Sequence, residues 1–459
     1  MRGLIRLDKS QWDAVTIATV VLLVFSFVLG GASRQHELRL ALVELVALPA
    51  LVLAVLSLLR RDKLACHKLA FGVLAAMAAL PLLQLIPLPA GVWTVLPGRA
   101  EPALALDLAG IASGWTPLSL TPDRTWRSFL ALLPPVAMVL GVLAIRGESH
   151  RWLAILVLSA TVAAIVLGAA QLASGGERLY PWRTTGAGSV VGFFANRNHL
   201  ATLCLISVPF ATALGAAGLR RGRSSSLWFA AVFVGLMVIA LGVIRSRTGV
   251  LLIWPVLAIS MLGAWIAAGR GRPSLPLLTI AGAMTVALVA VGLFALDPIL
   301  ARFDGLHNQE GRFENWPIIV EAANTYLPVG SGLGSFDAVY RSVEPIERLD
   351  PTFFNQAHNE YLETWLETGW FGVAILIAFL VWYGRRSWAA WRARASTPRD
   401  LQRAASIAIG VILLHSTVDY PLRTETIAVL FALCCALLEL AGRSDAELSG
   451  SRAHDRRRP

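Results

Sequence analysis

Residues 227–268 read LWFAAVFVGLMVIALGVIRSRTGVLLIWPVLAISMLGAWIAA. Two apolar runs, 227–244 and 249–268, flank a four-residue connection that holds their only charges, Arg245 and Arg247. At 1.5 Å per residue each run makes a helix of roughly 27–30 Å, and a bilayer core is about 30 Å thick. Joined by so short a link, the two runs read as an antiparallel membrane hairpin. The fold class follows: an all-α integral membrane protein.

The pattern repeats outward from this hairpin. Apolar stretches near 13–30, 38–59, 69–88, 127–145, 152–172, 198–217, 227–244, 249–268, 275–296, 369–383, 404–420 and 424–441 predict about 12 transmembrane helices. The first follows Arg2, Arg6 and Lys9 and could mimic a signal peptide; the spans behind it favour a retained helix. Of the 459 residues, 56% are hydrophobic and 15% charged, against about 25% charged in a soluble domain. The net charge of +11 lies mostly in short clusters between apolar runs, which is a topology signal and argues for no nucleic acid partner. Basic clusters at 60–68, 220–223, 385–394 and 456–458 place those segments and both termini in the cytoplasm. Cys66, Cys204, Cys434 and Cys435 fall in spans or near the inner face, with no disulfide framework and no metal-ligand spacing.

The expected organisation is nine spans over 1–296, a large outer loop over 297–368, three spans over 369–441 and a disordered cytoplasmic tail over 442–459. Shorter outer loops cover about 89–126 and 173–197. The large loop mixes Pro, Gly, aromatics and both charge signs, so it reads as a folded cap. A helix should begin near Glu314-Asn315-Trp316-Pro317 and end before Pro328 and the PVGSGLGSF glycines. A second should begin near Ala357 and run through HNEYLETWLETG.

Four places carry polar groups at the outer boundary. GFFANRNHLA puts Arg197 and His199 at the mouth of the sixth span; an arginine there finds an anionic partner or snorkels to water. IRSRTGVL puts Arg245 and Arg247 in the hairpin link, where a guanidinium fork suits phosphate oxygens. GRFENW supplies Arg312, and the glycine turn after it lets backbone approach something closely. In HNEYLETWLETG a continuous helix would set His358 on one face with Tyr361, Leu362 and Trp365, and Glu360, Glu363 and Glu367 on another. His358 could act as a base near neutral pH or be a packed histidine. HSTVDYPL sets His415 and Asp419 a helical turn apart in the eleventh span, as a structural bond or as support for the site. No P-loop and no nucleophile elbow is present. The chemistry is therefore expected to need no ATP, cofactor or metal.

NRNHLA, SRTGVL, GRFENW, the P-x-G-x-G-x-G-x-F turn, HNEYLETWLETGWFG and HSTVDYPL, in that order over about 190–425, resemble the O-antigen ligase / Wzy polymerase superfamily. PLSLTPDRTW at 117–126 is similar to an upstream element of these proteins. The resemblance implies a GT-C-like membrane glycosyltransferase in the bacterial inner membrane, with its active site facing the periplasm. It implies a glycan donor on undecaprenyl diphosphate, and an acceptor hydroxyl on a glycan or on lipid A–core. By motif, Arg247 and His358 match the family's functional arginine and histidine, and Arg197 and Arg312 match further family arginines. In the mechanism this suggests, Arg197, Arg247 and Arg312 hold the diphosphate. His358 deprotonates the acceptor, giving inversion without a metal. Arg245, His199, His415 and Asp419 are candidates for supporting roles. Ligation and polymerisation are not separated by these motifs, and a protein O-oligosaccharyltransferase ranks behind them. A transporter, similar to relatives described as bicarbonate carriers, is the alternative from another class; it would draw on Glu44 and His415 within the spans. A structural scaffold for polysaccharide export is a third.

Overall fold

The computed structural model describes residues 13–32, 37–60, 67–111, 114–145, 149–175, 178–182, 188–268, 282, 312–346 and 354–440. The basic flank of the first helix, Cys66, the expected ninth span apart from residue 282, the start of the large loop and the tail after residue 440 lie outside the described residues.

In chain order the helices are α1 (Ala14–Leu29), α2 (Glu37–Arg60), α3 (Lys68–Gln84), α4 (Ala90–Trp93), α5 (Ala100–Leu108), α6 (Pro122–Leu130), α7 (Leu133–Ala144) and α8 (His150–Ala173). They continue with α9 (Arg197–Leu219), α10 (Ser225–Ile244), α11 (Arg247–Ala267), α12 (Arg312–Thr325), α13 (Phe336–Val343), α14 (Glu360–Arg392), α15 (Thr397–His415) and α16 (Glu425–Glu439). Two short strands, Pro87–Leu88 and Thr116–Pro117, pair antiparallel.

Among the described residues seven helices are long and apolar enough to cross a membrane: α2, the α6–α7 run, α8, α9, α10, α11 and α14. α1 and α3 are apolar but shorter. The last expected spans come out differently. α16 has 15 residues, a rise of about 22 Å. α15 starts earlier than expected, on the polar TPRDLQR turn, and ends at His415. Asp419 therefore lies beyond that helix.

α9 is the central helix, with 89% of its apolar window buried against 28–44% in the other six. Small residues allow this. A side-chain carbon on Gly215 would stand 2.7 Å from Ala230 Cβ, and one on Gly218 would meet Ser226. Close backbone approach of this kind carries helix association where lipid is the solvent. The large apolar core surrounds α9. A second, smaller cluster gathers Ile319, Tyr326, Phe336, Tyr340, Ala357 and Leu366 from α12, α13 and the start of α14.

α14 is broken at Gly369, whose φ of 55° and ψ of −144° leave the helical region. The amide of Trp370 just beyond the break donates to Pro328 O at 3.0 Å. The glutamate-bearing turns and the apolar span thus meet at a corner closed by the loop after α12.

Candidate functional site

Capping sets the first turns of two helices. Asn196 caps α9, its side chain accepting from Asn198 N at 2.8 Å. Ser246 caps α11, accepting from Gly249 N at 3.2 Å. The tight link before it needs Arg245 in the left-handed region, φ 56°, at the end of α10. A side-chain carbon on Gly249 would lie 3.0 Å from Ala201 Cβ, so the opening turns of α9 and α11 touch. Arg197 and Arg247 are the first residues of these neighbouring helices, and both are half-buried. Helix N-termini carry partial positive charge, and guanidinium groups there favour an anion with phosphate geometry. Arg245 is exposed.

Asp419 ties this corner to the far end of the chain. It is 1% exposed. Its Oδ2 accepts from Asn198 Nδ2 at 2.7 Å and its Oδ1 from Tyr420 N at 2.9 Å. His358 Nδ1 stands 3.5 Å from Oδ1, an electrostatic contact longer than a good hydrogen bond. His199 and His415 also act on this carboxylate through space. His199 Nδ1 bonds the Thr424 hydroxyl at 2.8 Å, and His415 Nδ1 bonds the Thr202 hydroxyl at 2.6 Å. Tyr420 lies between the rings, 4.9 Å from His358 and 5.5 Å from His199. One buried carboxylate thus serves three imidazoles from three separate parts of the sequence.

His358 is not on a helix, which corrects the shared face expected with Tyr361, Leu362 and Trp365. The helix starts later because Asn359 caps it, its Oδ1 accepting from Tyr361 N at 3.0 Å and Leu362 N at 3.2 Å. His358 sits just outside that cap with φ 50°, a conformation uncommon for a side-chain-bearing residue. Phe354 and Tyr420 flank its ring.

The acidic face of α14 points inward. Arg423 Nη2 meets Glu363 Oε2 at 3.0 Å and Glu367 Oε2 at 2.8 Å. Glu360 Oε1 accepts from Leu422 N at 2.7 Å and Arg423 N at 3.2 Å. Three buried glutamates therefore clamp the Pro421–Arg423 turn that directly follows Asp419 and Tyr420. Arg423 and Asn198 were not singled out by the motifs. Asking what neutralises buried acids at positions i, i+3 and i+7 would have pointed to an arginine.

The glycine turn approaches protein closely, not an open pocket. Side-chain carbons on Gly330 and Gly332 would collide with Glu367 O at 2.5 Å and Ser119 Oγ at 2.1 Å. Buried Arg99 locks the same turn by donating to Gly330 O at 2.8 Å, Leu118 O at 2.7 Å and Pro97 O at 2.9 Å. Its guanidinium lies 5.4 Å over the Tyr326 ring, and burial pushes its pKa down to about 10. PLSLTPDRTW belongs to this support: Leu120 N donates to Ser331 O, and the Thr125 hydroxyl to Leu333 O.

Residues 229–377 match the family model described as O-Antigen ligase. That segment belongs to the O-antigen ligase / Wzy superfamily. No curated protein matches the chain. The O-antigen ligase segment contains Arg245, Arg247, Arg312, His358 and the α14 glutamates, whereas Arg197, Asn198, His199, His415, Asp419 and Arg423 lie outside it. Asn198, His199, His358, His415 and Asp419 come together, with Arg197 and Arg247 heading the helices beside them. Arg312 opens α12, but its side chain lies outside the described residues. Among the described residues no group of three or more His, Cys, Asp or Glu is arranged to hold a metal ion.

Proposed function

We propose that this protein moves a glycan from undecaprenyl diphosphate to an acceptor hydroxyl at the periplasmic face of the bacterial inner membrane. The coarser statement comes from the family: the O-antigen ligase segment ties the chain to glycan ligation or polymerisation in polysaccharide synthesis. The observation that supports the finer reading is the Asp419–His358 contact at 3.5 Å, joined through Asn198 to a helix headed by Arg197.

In this reading the acceptor oxygen attacks the anomeric carbon as His358 takes its proton. The Asp419 carboxylate faces Nδ1 at 3.5 Å, which leaves Nε2 for the hydroxyl and stabilises the imidazolium that forms. The bond from the anomeric carbon to the diphosphate oxygen breaks on the opposite side, giving inversion. The electron pair leaves on undecaprenyl diphosphate, where Arg197 and Arg247 offset the developing charge. Arg312 is kept as a third candidate for that role.

The test is complementation of a surface-glycan-deficient strain with Arg247→Ala and His358→Ala variants that insert normally. Both are expected to fail while lipid-linked glycan accumulates. Long unligated chains would assign ligation, and single repeat units polymerisation. Full activity in both variants would overturn the reading.

A further inference from the structure

An apolar chamber lies beside the histidine cluster, sharing Glu360, Leu422 and Arg423 with the clamp on the Pro421–Arg423 turn. It has a volume of about 880 Å³ and is walled by α2, α3, α7, α14 and α16. His199, His358, His415, Arg197 and Arg247 are not among its walls. Its trunk is apolar, built from residues such as Leu74, Met77, Leu376, Phe379 and Phe431. It reaches from Glu425 to Glu439 along α16. From Glu425 to Glu439 the helix rises about 21 Å, most of the way across a hydrocarbon core of about 30 Å. That shape suits a hydrocarbon chain.

One end of the trunk is acidic. Glu425 is 7% exposed, and its Oε1 is buried with no hydrogen-bond partner among the described residues. Glu44 lines the same chamber and acts electrostatically on Glu425. Burial without a partner disfavours the ionised carboxylate, and a cationic donor inside the chamber offsets that cost. The neighbouring cations are already matched by acids. Arg124 pairs with Asp337 at 2.9 Å, and Arg423 pairs with Glu363 and Glu367. Arg127 stands exposed at the rim. The unmatched groups in the chamber are acidic, and an ammonium group with N–H donors meets them better than a second anion or a quaternary amine.

We infer that this chamber binds a phospholipid with a primary ammonium head, of the phosphatidylethanolamine class. One chain lies along α14 and α16, and the ammonium lies between Glu44 and Glu425. The inference stands apart from the glycan-transfer reading, since none of its residues carries the proposed transfer.

The full-length protein reconstituted in nanodiscs of equimolar phosphatidylethanolamine, phosphatidylcholine and phosphatidylglycerol, with matched chains, tests it by native mass spectrometry after release. Phosphatidylethanolamine should be retained at least fivefold over the other two. Glu425→Gln and Glu44→Gln should each erase that preference. Ala428→Trp, which fills the trunk and leaves the carboxylates in place, should abolish retention altogether. Because Glu425→Gln could fail to fold, Glu44→Gln and Ala428→Trp are judged with it on samples that keep the parent's melting temperature. Equal retention of all three lipids, preference for phosphatidylglycerol, or an ethanolamine preference unchanged in the folded variants would overturn the proposal.

Discussion

Asn198 donates to Asp419 at 2.7 Å, joining the first turn of the most buried helix to the loop that follows α15. Asp419→Asn keeps a side chain able to bond Asn198 but removes the charge facing His358. Transfer from a lipid-linked glycan donor is expected to fall at least about tenfold, with little change in melting temperature. A normal rate in a normally inserted variant would detach Asp419 from the chemistry.

His358 lies at φ 50°, where glycine fits without strain. His358→Gly is expected to be as stable as the parent, or more so by up to about 1 kcal/mol, while transfer falls by roughly 10²–10⁴. Added imidazole should restore part of the rate. A purely structural histidine would show the reverse: retained activity and no response to imidazole.

Arg247→Ala should lower the rate by about 10²–10³, the usual effect of deleting a group that stabilises developing negative charge. Arg247→Lys should recover only part, because a point charge cannot bridge two oxygens as a guanidinium does. Arg245, exposed on the same link, should tolerate alanine. Steady-state kinetics on the three variants decide the matter.

Arg423 is shared by two buried carboxylates. Arg423→Leu leaves both without their cation and is expected to lower stability by about 3–5 kcal/mol, seen in thermal unfolding in detergent. Adding Glu363→Gln and Glu367→Gln to that variant should recover part of the loss. Additive losses would mean the ion cluster is not the coupled unit described above.

Gly369→Ala would place a carbon 2.2 Å from Pro328 O at a residue with φ 55°. The corner between the two halves of α14 cannot accept it, and the expected destabilisation exceeds about 1 kcal/mol. Gly384 has open space at its Cβ position, and Gly384→Ala serves as the control.

The apolar runs announced the fold class because hydropathy is local, and the 227–268 hairpin appears as α10 and α11 with the link where it was expected. The number of spans was less legible. α16 is short, and α15 takes in a polar turn, since helix ends follow caps and packing more than apolar length. At the site, residue types were readable and their partners were not. His415 and Asp419 do stand one turn apart, Asp419 N donating to His415 O at 3.0 Å, but that turn follows the helix end and does not lie inside the span. The left-handed backbone of His358 left no trace in HNEYL. Arg423 stood one residue past the HSTVDYPL motif. The glycine cluster signalled a close approach, but its partners were other parts of this chain, the Glu367 carbonyl and the Ser119 side chain.

The Asn198–Asp419 bond also spans 221 positions of sequence. A ribosome therefore finishes the whole O-antigen ligase segment, including Arg247 and His358, before the carboxylate that faces His358 has been made. A nascent chain stalled between residues 377 and 418 has the whole segment but no assembled centre. Within the proposed reading, the enzyme stays silent during its own insertion, and activity reports that α15 has reached its place beside α9.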